Sequence, residues 1–174
     1  MVVVSNAGPL ISLARIEQFD LLHQLYTTVL IPIAVYAEVA ESEGNRPGAE
    51  VLRAADWVQV IEVQDRTAVE LLRERLDQGE SEAIVLALER QADVLIIDEA
   101  RGRRVAQGQG VKHIGTIGTL VVAKRQGLIE AVTPLLDTLI LAGFRMDQRL
   151  YQTALALADE SIEGDSTDLR LLKS

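Results

Sequence analysis

Short apolar runs alternate with longer stretches of mixed polarity along this chain. The apolar runs predict five buried strands, at 2–5, 27–32, 57–63, 93–98 and 111–115. The intervening stretches carry apolar residues at helical spacing. They predict helices at 9–15, 17–26, 32–40, 49–55, 65–76, 79–91, 99–110, 116–127, 130–143 and 147–158.

This alternation of strands and helices predicts an α/β fold. Each predicted strand is a continuous apolar run, which is typical of a mostly parallel sheet covered on both faces. The 174 residues contain no internal repeat and no linker that separates two domains. We therefore expect one domain over residues 1–158, followed by a polar, flexible C-terminal tail over residues 159–174.

Composition excludes several classes of protein. The chain has no cysteine, which excludes disulfides and thiolate metal sites. No apolar stretch approaches the roughly 18 residues of a membrane span, and the first residues do not resemble a signal peptide. We expect a soluble, cytoplasmic protein that makes no membrane contact.

The distribution of charge points to a basic surface on an acidic protein. A net charge of −9 argues against nucleic-acid binding by bulk attraction. Between residues 100 and 129, however, the chain has no Asp or Glu and six cations: Arg101, Arg103, Arg104, Lys112, Lys124 and Arg125. These predict a surface for a phosphate backbone or for an acidic partner protein. The alternative is that Arg101 and Arg104 form a solvated helix face and that Lys124 and Arg125 are ordinary cations in the last turn of a helix.

Oxygen-bearing side chains follow the predicted strands. In an open parallel sheet, ligands bind beyond the carboxyl ends of the strands. The candidate residues there are Asn6, Glu38, Glu80, Glu82, Asp98 and Glu99. Carboxylate and carbonyl oxygens are the ligands that Mg²⁺ and Mn²⁺ prefer, so this set predicts a site for a hard divalent cation.

Each candidate also has a local interpretation. Asn6 fits a helix cap. Asp98 fits the cap of the next helix, with Glu99 in its first turn, and Glu38 fits a solvated helix position. Glu80 and Glu82 are about 200° apart around a helix, so we expect only one of the two glutamates to face a metal. The sequence does not choose between them.

In their order along the chain, six segments resemble the PIN-domain superfamily, and within it a branch formerly catalogued as a domain of unknown function. They are VSNAGPLISLARI (4–16), LIPIAVYAEV (30–39), GESEAIVLALE (79–89), VLIIDEARGRRVA (94–106), HIGTIGTLVVAKRQGLI (113–129) and VTPLLDTLILAGFRMDQRLYQTAL (132–155). The resemblance implies a three-layer α/β/α sandwich with additional C-terminal helices and an acidic pocket for Mg²⁺ or Mn²⁺. Enzymes of the superfamily cleave RNA, and many bacterial members are toxins silenced by a small antitoxin protein.

The resemblance also implies the site residues. The four acidic positions of the family fall on Asn6, Glu38, one glutamate of the GESE segment and Asp98, with Glu99 adjacent. Of the two GESE glutamates, Glu82 is the expected catalytic residue, and both it and Glu80 remain candidate metal ligands.

Two positions depart from the family pattern. Asn6 replaces the usual first acid, so it brings no charge and cannot act as a base. Gly8 stands where a serine or threonine often occurs.

These features predict a metal-dependent ribonuclease of the toxin type, with the basic residues placing the RNA. The alternative is a PIN-like protein with weakened catalysis that binds RNA or a partner. A receiver domain or dehalogenase-like phosphatase needs an acidic pair or an Asp-x-Asp after the first strand, and SNAGPL has neither. The expected partners are RNA, a small antitoxin and, through the apolar segment 132–144, a second copy of the chain. Burial of that segment within the monomer is an equally good interpretation.

Overall fold

The computed structural model describes residues 1–44 and 46–160, and its centre is a parallel sheet of five strands. The strands are β1 (Val3–Ser5), β2 (Val29–Pro32), β3 (Val58–Ile61), β4 (Val94–Ile96) and β5 (His113–Ile114). Their order in space is β3-β2-β1-β4-β5, so β1 lies at the centre of the sheet with β2 and β4 as its neighbours.

Helices connect the strands, and three more follow the last strand. They are α1 (Ala7–Arg15), α2 (Leu21–Tyr26), α3 (Ile33–Tyr36), α4 (Ala49–Ala54), α5 (Arg66–Arg73), α6 (Gln78–Glu89), α7 (Ala100–Gly108), α8 (Thr116–Arg125), α9 (Thr133–Leu141) and α10 (Gln148–Leu157). Helix α3 continues into a π-helical turn, Ala37–Glu41.

The two faces of the sheet carry separate cores. On one face, Val3 and Ile96 pack among residues of α1, α8, α9 and α10. On the other face, Val4 and Leu95 pack among residues of α5, α6 and α7. Successive strand residues point to opposite faces, so both faces of β1 and β4 are buried. The predicted α/β/α sandwich with a parallel sheet is confirmed.

The largest difference from the predicted elements lies between α1 and α2. One helix was expected over 17–26, yet α2 begins only at Leu21. Glu17 adopts a left-handed conformation with φ of 58°, and Gln18 N donates to Leu13 O at 2.8 Å. This is the hydrogen-bond pattern that ends a helix, usually at a glycine. Because a glutamate takes that place here, the sequence did not indicate the turn.

Pro9 also lies deeper in its helix than expected. The sequence places it as the first helical residue, whereas α1 begins at Ala7 and Pro9 is the third residue. The N–H groups of a first turn have no partner within the helix, so a proline is accepted throughout that turn.

Glu160, at the end of the described chain, binds residues of α8 and of the start of α9. Its carboxylate accepts from Lys124 Nζ at 2.8 Å, from Val132 N at 2.6 Å, from Thr133 N at 2.9 Å and from the Thr133 hydroxyl. These hydrogen bonds tie Glu160, the last described residue, to the packed structure. The remainder of the predicted tail, 161–174, lies outside the described residues.

Among the residues described, none of the helices combines the length and the apolar character that crossing a membrane requires.

Replacing Glu160 with Gln is expected to lower the free energy of unfolding by about 1–3 kcal/mol at pH 7, since charge-assisted hydrogen bonds are lost. Although burial opposes it, the bonds from Lys124, Thr133 and Val132 lower the pKa of Glu160 from 4.5 to about 2. A carboxylate with a lowered pKa stabilises the fold fully above its ordinary pKa, and this contribution is lost as the pH falls toward 2.

The difference in free energy of unfolding between the native protein and Glu160→Gln should therefore become smaller as the pH is lowered from 7 to 3. Urea unfolding at each pH measures it. Glu130→Gln, at an exposed position, is the matched control. A gap that stays constant over this range would contradict the assignment.

Candidate active site

The pairing of β1 with β4 brings two candidate residues to one edge of the sheet. Ser5 is in register with Ile96, and Asn6 N donates to Ile96 O at 2.9 Å. Asn6 therefore follows β1 where Asp98 follows β4. Gly8, in the first turn of α1, also approaches this edge, because a Cβ on it would lie 3.8 Å from Asp98 Oδ2.

Asn6 is buried, and its side-chain oxygen has no hydrogen-bond partner. The residue occupies the N-cap position of α1, but its side chain makes no capping hydrogen bond. It is 5% exposed. Within the described residues, Asn6 Oδ1 is one of two buried side-chain atoms that lack a partner, the other being Ser42 Oγ. Helix capping therefore does not account for the placement of the Asn6 side chain.

Glu38 approaches the same space from the π-helical turn. A Cβ built on Gly79 would lie 3.1 Å from Glu38 Oε2 and 3.6 Å from Asn6 Oδ1. Glycine at this position lets the start of α6 come close to both side chains. Two acceptor oxygens thus face one small space, an arrangement that a cation or a water molecule between them would stabilise.

Asp77 and Glu80 form a capping box at the start of α6. Glu80 N donates to Asp77 Oδ1 at 2.8 Å, and Asp77 N donates to Glu80 Oε2 at 3.2 Å. Glu80 Oε1 lies 3.4 Å from the Cβ position of Gly102 in α7. Asp77 was absent from the residues predicted for the site. The spacing of an acid three residues before a glutamate was the signal that could have indicated it.

Five carboxylates make up what we call the acidic cluster: Glu38, Asp77, Glu80, Asp98 and Glu99. Burial raises the pKa of Glu38, and the neighbouring charge of Asp77 raises it further, whereas Arg46 lowers it. Burial also raises the pKa of Glu80, with additional contributions from Asp77, Glu99 and Glu38. The carboxylates therefore repel one another, and a positive charge placed among them would be stabilised.

Asp98 connects the cluster to α8. Thr116 donates to it twice, from N to Oδ1 at 2.7 Å and from Oγ1 to Oδ2 at 2.6 Å. Burial raises the pKa of Asp98, while the bonds from Thr116 and the charge of Arg103 oppose that rise. Asp98 thus binds the start of α8, and exposed Glu99 takes the N-cap position of α7. Thr116 supplies a hydroxyl group beside Asp98, where Gly8 has none.

Glu82 lies in a different environment from Glu80. Its Oε1 accepts from Arg66 at 2.9 Å and from Gln78 at 3.2 Å, and its Oε2 accepts from Ala34 N at 3.1 Å. Its side chain is 4% exposed. Both oxygens therefore have partners. Glu82 nevertheless lines a cavity together with Glu38 and Asp77. The charge of Glu80 interacts with those of Asp77, Glu99 and Glu38.

Three of the six predicted basic residues lie near members of the acidic cluster. Arg101 and Arg104 line a cavity together with Glu80 and Glu99, and Arg103 lies near Asp98. Lys112 is exposed outside this cavity.

The other two cations are engaged elsewhere. Lys124 pairs with Glu160 at 2.8 Å, and Arg125 Nε donates to Leu157 O at 3.0 Å. They fasten the C-terminal end of the fold and do not face the acidic cluster. Arg75, which is not among the predicted basic residues, lines the same cavity as Arg101 and Arg104.

The donor set suits a hard cation in kind, because it consists of carboxylate and amide oxygens. The positions of these oxygens are not those of a formed metal site. Within residues 1–44 and 46–160, no three His, Asp or Glu side chains already converge on a point that would hold a metal ion. The orphaned oxygen of Asn6 and the mutual repulsion of the acidic cluster are the two observations that fit a cation at this edge.

Replacing Gly115 with Ala is expected to displace Asp98 and to lower the free energy of unfolding by about 1–3 kcal/mol, since an added methyl group overpacks the site. The new Cβ would lie only 2.8 Å from Asp98 Oδ1. Gly108→Ala is the matched control, because a Cβ there meets nothing within 4 Å. Urea unfolding checks both variants, and a Gly115→Ala protein as stable as the native one would contradict this account of the packing.

Comparison with known proteins identifies the family. A search of curated proteins found no match to this chain. A family model described as a PIN domain matches residues 2–160, which is nearly all of the structure described. The parallel sheet, the two helical layers and the acids at the carboxyl ends of the strands agree with that match. The chain belongs to the PIN-domain family.

Proposed function

We propose that this protein is a metal-dependent ribonuclease of the toxin type, which hydrolyses RNA phosphodiesters with Mg²⁺ or Mn²⁺. The PIN domain is a nuclease-type fold, and PIN domains generally use divalent metals. The observation that carries the proposal is the unpartnered, buried oxygen of Asn6 beside Glu38, at the sheet edge that also bears Asp98.

In this proposal, Asn6, Glu38, Glu80 and Asp98 hold the metal ion. A bound divalent ion supplies an activated water molecule and neutralises the charge that develops on the phosphate. Asp98 keeps free lone pairs on both oxygens while it accepts from Thr116, so it remains able to act as a ligand. Asp77 and Glu99 add negative charge around the site without needing to contact the ion.

Arginines at the rim of the cluster are suited to the RNA backbone. Arg75, Arg101 and Arg104 line a cavity together with Glu80 and Glu99. Guanidinium groups bind phosphate in a bidentate manner and are always charged. They would therefore draw an anionic substrate toward an otherwise repulsive acidic site, which makes the proposed RNA binding compatible with a net charge of −9.

A small antitoxin protein and a second copy of this chain remain proposed partners. Helix α9 supports a contact between copies only in part. Leu136 and Leu139 are buried in the monomer, whereas Ile140 is 42% and Leu141 is 88% exposed. The C-terminal end of α9 is the portion available to a partner.

The second candidate function is RNA or partner binding with weakened catalysis. Asn6 favours it, because an amide brings no charge to the metal and cannot serve as a base. The ion pair between Arg46 and Glu38, at 3.4 Å, favours it as well, since Arg46 already neutralises part of the Glu38 charge.

Asp98→Asn is expected to reduce RNA cleavage by about a hundredfold or more, because a ligand charge is lost. Asparagine retains an acceptor for Thr116, so the fold should be preserved. Cleavage of a labelled RNA with Mn²⁺ measures the effect, and thermal unfolding verifies the fold. Asp56→Ala, an exposed acid before β3, is the matched control and should cleave at the native rate. Equal cleavage by native protein and Asp98→Asn would refute the proposed activity.

Asn6→Asp distinguishes the two functions. The added charge is expected to tighten Mn²⁺ binding at least about fivefold, since two charges about 4 Å apart interact by roughly 1–4 kcal/mol. Titration calorimetry measures this, with Gln126→Glu as a control that adds the same charge at an exposed remote position.

The cleavage assay of the same variant then decides between them. RNA cleavage that appears only in Asn6→Asp identifies the native protein as a binder. Robust cleavage by the native chain removes the binder alternative.

A further inference from the structure

A second cavity begins at Asp98 and extends away from the acidic cluster. It lies between β5, α8, α10 and the loop before α10, and its volume is about 320 Å³. Asp98 contributes to both places, so a ligand in this cavity would lie directly beside the proposed site of cleavage.

The walls of this cavity differ in chemistry. Part of the lining is apolar and is formed by Ile117, Val121, Phe144, Leu150 and Leu157. Leu150 and Leu157 are 42% and 48% exposed, which makes them apolar surface that a ligand would cover.

The lining also includes charged and polar groups. Arg103, Arg145 and His113 contribute to it together with Asp98. Arg103 Nη1 lies 3.9 Å from the Cβ position of Gly115, the same position that is 2.8 Å from Asp98 Oδ1. The guanidinium group of Arg103 therefore lies at the boundary between the cavity and the acidic cluster.

We propose that this cavity binds one unpaired base of an RNA strand, with Phe144 contacting the base and Arg103 and Arg145 binding the adjoining phosphates. The inference rests on the proposed action on RNA and adds to it a separate binding site for one base.

Size and chemistry both favour this occupant. A volume near 320 Å³ is at the lower end of the range for small-molecule pockets, about 300–1,000 Å³, and an α-helix about 10 Å wide would need an open groove instead. An apolar wall with an aromatic ring suits the face of a base, and flanking arginines suit phosphates. A base within a duplex is stacked and paired, so it cannot enter the cavity without being extruded.

The test is binding of a fluorescein-labelled RNA hexamer in EDTA, measured by anisotropy at low salt. Thr153→Leu fills the cavity from α10, where Thr153 donates only to Arg149 O of its own helix. It should weaken binding about 5- to 100-fold, the range expected for losing one stacked base. Gln152→Leu, an exposed neighbour on α10 that does not line the cavity, should bind as the native chain does. Phe144→Leu should weaken binding in the same direction and covers the case in which Thr153→Leu does not fold.

Two further RNAs test which part of the ligand is recognised. An abasic hexamer should bind the native chain as weakly as the ordinary hexamer binds Thr153→Leu, and a twelve-base-pair duplex should also bind weakly. Native binding by both Thr153→Leu and Phe144→Leu overturns the proposal. So does equal affinity for the hexamer and the abasic or duplex RNA, or no binding of the hexamer at all.

EDTA chelates divalent metal ions and so prevents the proposed hydrolysis. The binding measurement is therefore independent of catalysis. Cleavage in Mn²⁺ together with cavity variants that bind normally would leave the ribonuclease intact and remove the base site. Binding that depends on the cavity, without any cleavage, would support the base site and remove the proposed ribonuclease activity.

Discussion

The pairing of β1 with β4 is the constraint on which the candidate site depends. Both strands are buried on both faces, and the bond from Asn6 N to Ile96 O continues their ladder to its last residue. Because the strands are parallel, their carboxyl ends coincide, and the chain must leave the sheet there at Asn6 and at Asp98. The start of α6 covers the same edge and adds Glu80. The packing of the two apolar cores thereby brings polar side chains together at one place.

Gathering these carboxylates has an electrostatic cost that the protein only partly offsets. Burial and mutual repulsion raise the pKa values of Glu38 and Glu80. The local partners are modest: Arg46 beside Glu38, Thr116 and Arg103 beside Asp98, and the backbone of Asp77 beside Glu80. Glu82 shows the contrast, because Arg66, Gln78 and Ala34 N satisfy it fully. A fold that satisfies one acid so completely and leaves its neighbours in repulsion favours a cation among those neighbours.

Most of the architecture followed from the apolar pattern, since continuous apolar runs and helical spacing directly reflect burial on both faces of a sheet. Local features that depend on one backbone conformation did not follow. Glu17 in a left-handed turn and the π-helical turn that carries Glu38 have no clear sequence signal. In the site, Asn6 and Asp98 were predictable because they follow strands. The preference for Glu80 over Glu82 as a proposed ligand rests on the hydrogen bonds and charges around α6 in the folded chain. Asp77 has a capping-box signal in the sequence, three residues before Glu80, whereas Arg75 becomes a candidate only through the packing of the folded chain.

Diffraction from a crystal soaked in Mn²⁺, recorded for anomalous scattering, tests the central claim most directly. The account predicts a manganese peak at the edge between Asn6 Oδ1, Glu38 and Asp98, at the metal–oxygen distance of roughly 2.0–2.2 Å expected for a hard cation of this size. It also predicts that the carboxylates move inward to meet it. A soaked crystal with no peak at this edge, and with Asn6 Oδ1 instead accepting a hydrogen bond from a water molecule or a side chain, would contradict the account.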